Sequence, residues 1–295
     1  MHRMAALPPA SVLTQLSANK VFGGYQKIFS HESSVLGCTM KFGVYFPPQY
    51  EDKPLPVIFW LSGLTCSEAN FIEKSGAQRY AAEHGVILVN PDTSPRNLNI
   101  DGDSKDWDFG VGAGFYVNAT QEPWKTNYQM FNYVNYELHS TVADNFQVTG
   151  AQSIMGHSMG GHGALVCALK LPGLYKAVSA FAPISNPINC PWGQKAFSGY
   201  LGPMETGNWE EWDASKLVKK YNGPPLPIFV DQGTGDKFYK EGQLLPENLV
   251  VACKDGANLI NLVLEMRDSY DHSYYYISSF IGDHIKRHAT ILNAK

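Results

Sequence analysis

Six short apolar runs divide this chain, at residues 56–61, 86–90, 154–155, 178–182, 228–230 and 259–264. The stretches between them carry helix signals. A continuously apolar strand must be covered on both faces, and strands alternating with helices require a parallel sheet. Upstream the pattern differs. Met40, Phe42, Val44 and Phe46 alternate with Lys41, Gly43 and Tyr45, the period-two signature of a strand with one buried face. Residues 25–29 are read as its antiparallel partner. The expectation is an α/β fold: a mostly parallel central sheet with helices on both faces and an N-terminal antiparallel hairpin. One domain spans 19–295. Residues 1–18 read as a loose leader, since Pro8 and Pro9 interrupt it and it lacks the apolar core of a signal peptide.

The helices have start and stop signals. Thr65-Cys66-Ser67-Glu68 and Ser75-Gly76-Ala77-Gln78 both have capping-box spacing, and Gly85 would close the helix that the second opens. Phe131, Val134, Leu138 and Val142 recur at helical spacing, as do Ile277, Ile281 and Ile285 near the C-terminus. The segment 106–136 is a long loop rich in aromatics and glycines, suited to packing on the core or to lining a ligand site.

Composition excludes several function classes. A net charge of −4 over 295 residues offers no basic face for nucleic acid, and no apolar run is long enough to span a bilayer. The five cysteines are an odd number with no Cys-x-x-Cys pair, which argues against a disulfide framework or a zinc site. A reducing cytoplasm is the expected compartment. No cofactor or metal is implied.

The run Gly156-His157-Ser158-Met159-Gly160-Gly161 has a short apolar lead-in before it and small, apolar residues after it, ending at Pro172-Gly173. Gly-x-Ser-x-Gly between a strand and a helix is the nucleophile elbow of α/β-hydrolases. Serine is a weak nucleophile near neutral pH and needs a base within reach and a group to orient that base. In such folds the chain order is serine, acid, histidine. His272, His284 and His288 lie late enough. His272 sits in a loop just before the terminal helix, while His284 and His288 fall inside that helix and read as ordinary helix-surface residues. His157 and His162 are too near Ser158 in sequence to fold back easily as its base. For the acid, Asp231 continues the 228–230 strand, whereas Asp236 stands in the loop behind two glycines. Asp236 is favoured because it is better placed to meet an imidazole Nδ1.

The oxyanion of an acyl transfer needs backbone N–H donors. Met159 follows the nucleophile at a helix N-terminus, where free N–H groups and the dipole favour an anion. Leu64, in the loop after the 56–61 strand, is the second candidate. Cys66 lies two residues on; it is a candidate rim thiol, with a small buried hydrophobe as the alternative.

The chain resembles the S-formylglutathione hydrolase (esterase D) family from about Asn19 onward. The resemblance rests on Trp60-Leu61-Ser62-Gly63-Leu64-Thr65-Cys66, Trp107-Asp108-Phe109-Gly110-Val111-Gly112-Ala113-Gly114-Phe115-Tyr116, the 156–161 run, Pro191-Trp192-Gly193-Gln194-Lys195-Ala196-Phe197 and Tyr270-Asp271-His272-Ser273-Tyr274-Tyr275. It implies Ser158 as nucleophile, His272 as base, Asp236 as acid, and Leu64 and Met159 as oxyanion donors. It further implies hydrolysis of S-formylglutathione to glutathione and formate, an acyl pocket shaped by Trp192 and the Trp107 loop, and a homodimer. Lys105, Lys195 and Lys237 are candidates to meet glutathione carboxylates. The chain departs from the pattern between Gly233 and Asp236, and has Ser269 where a glycine commonly precedes Tyr-Asp-His. The rival readings are a broader carboxylesterase or thioesterase, an acyltransferase, and a non-catalytic binding protein of the same fold.

Overall fold

The computed structural model describes residues 12–256 and 259–294. Nine strands form one sheet in the order β1-β2-β3-β5-β4-β6-β7-β8-β9. They are β1 (Thr14–Val21), β2 (Gly24–Ser33), β3 (Cys38–Phe46), β4 (Leu55–Leu61), β5 (Ile87–Pro91), β6 (Val148–His157), β7 (Val178–Phe181), β8 (Leu226–Gly233) and β9 (Ile260–Arg267). The pairs β1/β2, β2/β3 and β3/β5 are antiparallel, and the other five are parallel. Each apolar run lies on a parallel strand. β4 and β5 are buried along their whole length, as continuous apolar runs require, whereas the edge strand β9 is partly exposed.

The N-terminal hairpin exists and has a third strand. β1 pairs with β2 from Thr14↔Ser30 to Val21↔Gly24, so the expected boundary at 18/19 falls inside β1. Residues 1–11 of the expected leader lie outside the described residues.

Ten α-helices lie among the described residues: α1 (Glu68–Lys74), α2 (Ala77–His84), α3 (Met130–Asn132), α4 (His139–Asn145), α5 (Met159–Lys170), α6 (Pro191–Leu201), α7 (Ala214–Lys220), α8 (Lys237–Lys240), α9 (Pro246–Lys254) and α10 (Tyr274–Leu292). A π-helical stretch, Tyr133–Leu138, joins α3 to α4. The first capping box lies two residues later than expected. Ser67, not Thr65, caps α1, and Asn70 closes the box. Gly85 ends α2 in the left-handed conformation, as expected.

The terminal helix corrects one reading. Ile277, Ile281 and Ile285 face the core, yet His284 and His288 are also fully buried. The two imidazoles share a helix face with the isoleucines and meet polar side chains on the sheet. His288 Nδ1 lies 2.7 Å from Ser153 Oγ on β6, and its Nε2 lies 2.8 Å from Ser179 Oγ on β7. His284 Nδ1 lies 2.7 Å from the same Ser179 oxygen, and its Nε2 lies 3.2 Å from Asp231 Oδ1 on β8. Arg267 of β9 then donates to Asp231 Oδ2 at 2.7 Å. Helix spacing alone could not show this, because each histidine's partners come from distant strands.

Candidate active site

β6 enters the elbow with six consecutive buried residues and α5 begins directly after Ser158. Ser158 is 3% exposed and has φ 58° and ψ −118°, a conformation L-residues rarely adopt. Tertiary contacts hold it there: its N–H donates to the Phe181 carbonyl at 2.9 Å, and its own carbonyl accepts from His162 and Ile184. The flanking glycines are steric necessities. A Cβ on Gly156 would stand 2.1 Å from the Gly160 carbonyl oxygen, and one on Gly160 would stand 1.9 Å from that of Leu61. Strand, helix and the neighbouring strand end approach too closely for any side chain.

His272 and Asp236 meet. Asp236 Oδ2 lies 2.5 Å from His272 Nδ1. Asp236 caps α8 through its Oδ1, accepting from the Phe238 and Tyr239 amides, and Gln232 donates to its Oδ2. Burial alone would raise this carboxyl, but the His272 ring and these donors hold it below the usual carboxylate value. The two loops fit because Gly233 and Gly235 lack side chains: a Cβ on either would stand within 2.6 Å of a main-chain oxygen in 269–271. Asp231, the competing acid, is committed elsewhere, to His284 and Arg267.

The His272 ring rests against His157, the residue before Ser158, with ring centroids 4.4 Å apart, and the edge of Phe238 covers it at 4.9 Å. His157, set aside in the sequence as too near Ser158 to be its base, lies in the site against the base instead; its place between Gly156 and the serine was the available signal. Gln232 and Phe238 were likewise missed, since their roles depend on how the 233–236 loop turns.

The loop after β4 runs past the serine: a Cβ on Gly63 would stand 3.1 Å from Ser158 Cβ. The loop is tied down by its carbonyls and by one amide. Tyr116 Oη donates to Ser62 O at 2.8 Å, Thr65 N to Gly112 O at 2.9 Å, and both Thr93 Oγ1 and Arg96 Nη2 to Cys66 O. Arg96 is in turn forked onto Asp92 at 2.6 and 2.8 Å. Among the described residues, neither the Leu64 nor the Met159 amide donates to another protein group. Those two N–H groups, flanking the serine, are suited to receive a developing oxyanion.

Cys66 is buried at the base of this loop, and burial pushes its thiol up. It has neither the exposure nor the thiolate character of a modifiable rim thiol. Trp107 and Trp192 come together edge to face at 5.6 Å, and Trp192 continues to Phe238 at 4.7 Å, so an aromatic row leads to His272. Lys195 is held by Asp106 at 3.0 Å and by Asp108, which leaves it poorly placed to meet a substrate carboxylate. Among the described residues no group of His, Cys, Asp and Glu could hold a metal, and no helix is long and apolar enough to cross a membrane.

A parallel sheet with a strained serine at a strand–helix turn, and a histidine–aspartate pair beside it, defines a serine esterase of the α/β-hydrolase fold. The putative-esterase family model matches residues 33–287. S-formylglutathione hydrolase of Rattus norvegicus is 56% identical over 96% of this chain and 99% of its own length. That of Arabidopsis thaliana is 53% identical over the same shares. A solved S-formylglutathione hydrolase from Agrobacterium tumefaciens superposes with a TM-score of 0.90 at 45% identity, covering 95% of this chain and 99% of that one. The chain belongs to the esterase family and, within it, to the S-formylglutathione hydrolases.

Proposed function

We propose that this enzyme hydrolyses the thioester S-formylglutathione to glutathione and formate through an acyl-enzyme on Ser158. Ser158 Oγ attacks the formyl carbonyl as His272 takes its proton, Asp236 holds the imidazole through Nδ1, and the Leu64 and Met159 amides receive the oxyanion. Collapse of the tetrahedral adduct breaks the carbon–sulfur bond and expels the glutathione thiolate, which takes the proton from His272 and frees the imidazole to act as base again. A thiol with a pKa of about 8.5 leaves with little general-acid help, so His272 acts chiefly in activating Ser158 and then the water that releases formate. The observation that carries this reading is the His272–Asp236 pair at 2.5 Å, with the ring packed against the neighbour of a strained serine. Near-full-length likeness to S-formylglutathione hydrolases supports the substrate.

The test compares turnover of formyl-, acetyl- and butyryl-glutathione and of aryl esters. A steep preference for the formyl thioester supports the assignment; equal or better turnover of longer acyl groups turns it into a general esterase. We place the enzyme in the cytoplasm, which the five free cysteines favour. The homodimer rests on the family resemblance and is read directly by sedimentation equilibrium.

A further inference from the structure

We infer that His157 is a positioning residue for His272, an inference that rests on the triad reading above. Four observations converge on it. The imidazole of His157 is 6% exposed, and neither ring nitrogen makes a hydrogen bond to the protein. Its ring lies 4.4 Å from that of His272 with the planes inclined at 45°, and it approaches the His272 main chain. Phe238 also packs on the His272 ring, with centroids 4.9 Å apart and the planes at 84°. A Cβ on Gly63 would come 3.3 Å from His157 Nδ1, so the same ring also touches the loop that carries the Leu64 amide.

His157 therefore fills the space between the base, the nucleophile's strand and the oxyanion loop. A single hydrogen bond donated to Asp236 fixes where Nδ1 sits but leaves the ring free to swing about that bond. Swinging moves Nε2, the nitrogen that must face Ser158 Oγ. His157 and Phe238, both packed on the ring, remove that freedom. The contact works only with an uncharged neighbour, because a second imidazolium beside His272 would oppose the charge His272 acquires as it takes the serine proton. Burial, together with the nearby His272, keeps His157 neutral. The imidazole serves here as a flat, uncharged plate.

The test uses His157→Ala and His157→Phe in the full chain, with active sites counted by stoichiometric labelling of Ser158 with a phosphonate. The alanine variant should lose at least tenfold in kcat per labelled site while KM stays within threefold, since the ring is buried. The phenylalanine variant restores a flat, uncharged face and should recover most of that loss without a lower Tm. A kcat per site within twofold of the parent for His157→Ala, whatever its Tm, would overturn the proposal. So would a phenylalanine variant as slow as alanine with all its sites labelled. Absence of Ser158 labelling in the parent enzyme would instead strike at the triad itself, so the two failures are distinguishable.

Discussion

Asp231 Oδ1 lies 3.2 Å from His284 Nε2, so the carboxylate that rivalled Asp236 serves a different histidine in the interior. The fold thus contains two aspartate–histidine pairs, and their roles separate by exposure. His272 is accessible at the strand ends, while His284 is sealed under α10.

That separation predicts opposite phenotypes for two similar substitutions. Asp236→Asn should lower kcat about 10⁴-fold with little change in Tm, because it leaves the base without its orienting acceptor. Asp231→Asn leaves Arg267 and His284 without their anion and should cost about 3 kcal/mol of stability, with kcat per folded molecule retained. Steady-state kinetics alongside denaturant melts read both; a swap of the two phenotypes would refute the assignment of the acid.

Acid should unfold this protein from an unusually high pH. Burial pushes His288 down to about 3, with His284 and Arg287 adding to the shift, and pushes His162 down to about 4. Both are neutral when folded, whereas an unfolded histidine protonates near 6.5. Between pH 6.5 and about 4 the unfolded chain therefore binds more protons, and stability falls as pH falls. These two groups alone contribute up to about 2.8 kcal/mol per pH unit across that window. The lowered Asp231 and Asp236 add a further loss only below about 3.8. Denaturant midpoints at half-unit intervals check this, and a flat profile from pH 6.5 to 4.5 contradicts it.

Ser269 has φ 62°, a left-handed conformation that a side chain resists. Ser269→Gly should raise stability by about 1 kcal/mol, minus the hydroxyl's exposed contact with Asp268. Thermal melts should show a higher Tm with kcat unchanged; a lower Tm means that the contact outweighs the backbone strain.

Gly160→Ala drives a methyl to within 1.9 Å of the Leu61 carbonyl oxygen, a main-chain atom that cannot swing aside. A loss of about 3 kcal/mol is expected, together with slowed phosphonate labelling of Ser158, because α5 must shift away from β4. Unchanged Tm and labelling would show that the elbow has slack it does not display.

Much of this was legible along the chain. The apolar runs became parallel strands because a strand covered on both faces has only one viable composition. Gly156 and Gly160 announced the elbow because close backbone approach admits no other residue. Strand and helix ends were less legible. Residues 14–18 have a polar, largely exposed pattern, so β1 is held by its pairing with β2 and not by an apolar face.

The order of residues by itself determined the fold class, the position of the serine and the set of acids and bases that could serve it. Local pattern suffices there, since strand burial, turn sterics and helix caps act over a few neighbours. Tertiary structure alone decided which histidine met which aspartate, why Cys66 is sealed, and that His157 lies against His272. Those outcomes depend on where segments 36 and more positions apart come to rest, and burial then sets the charge of each group.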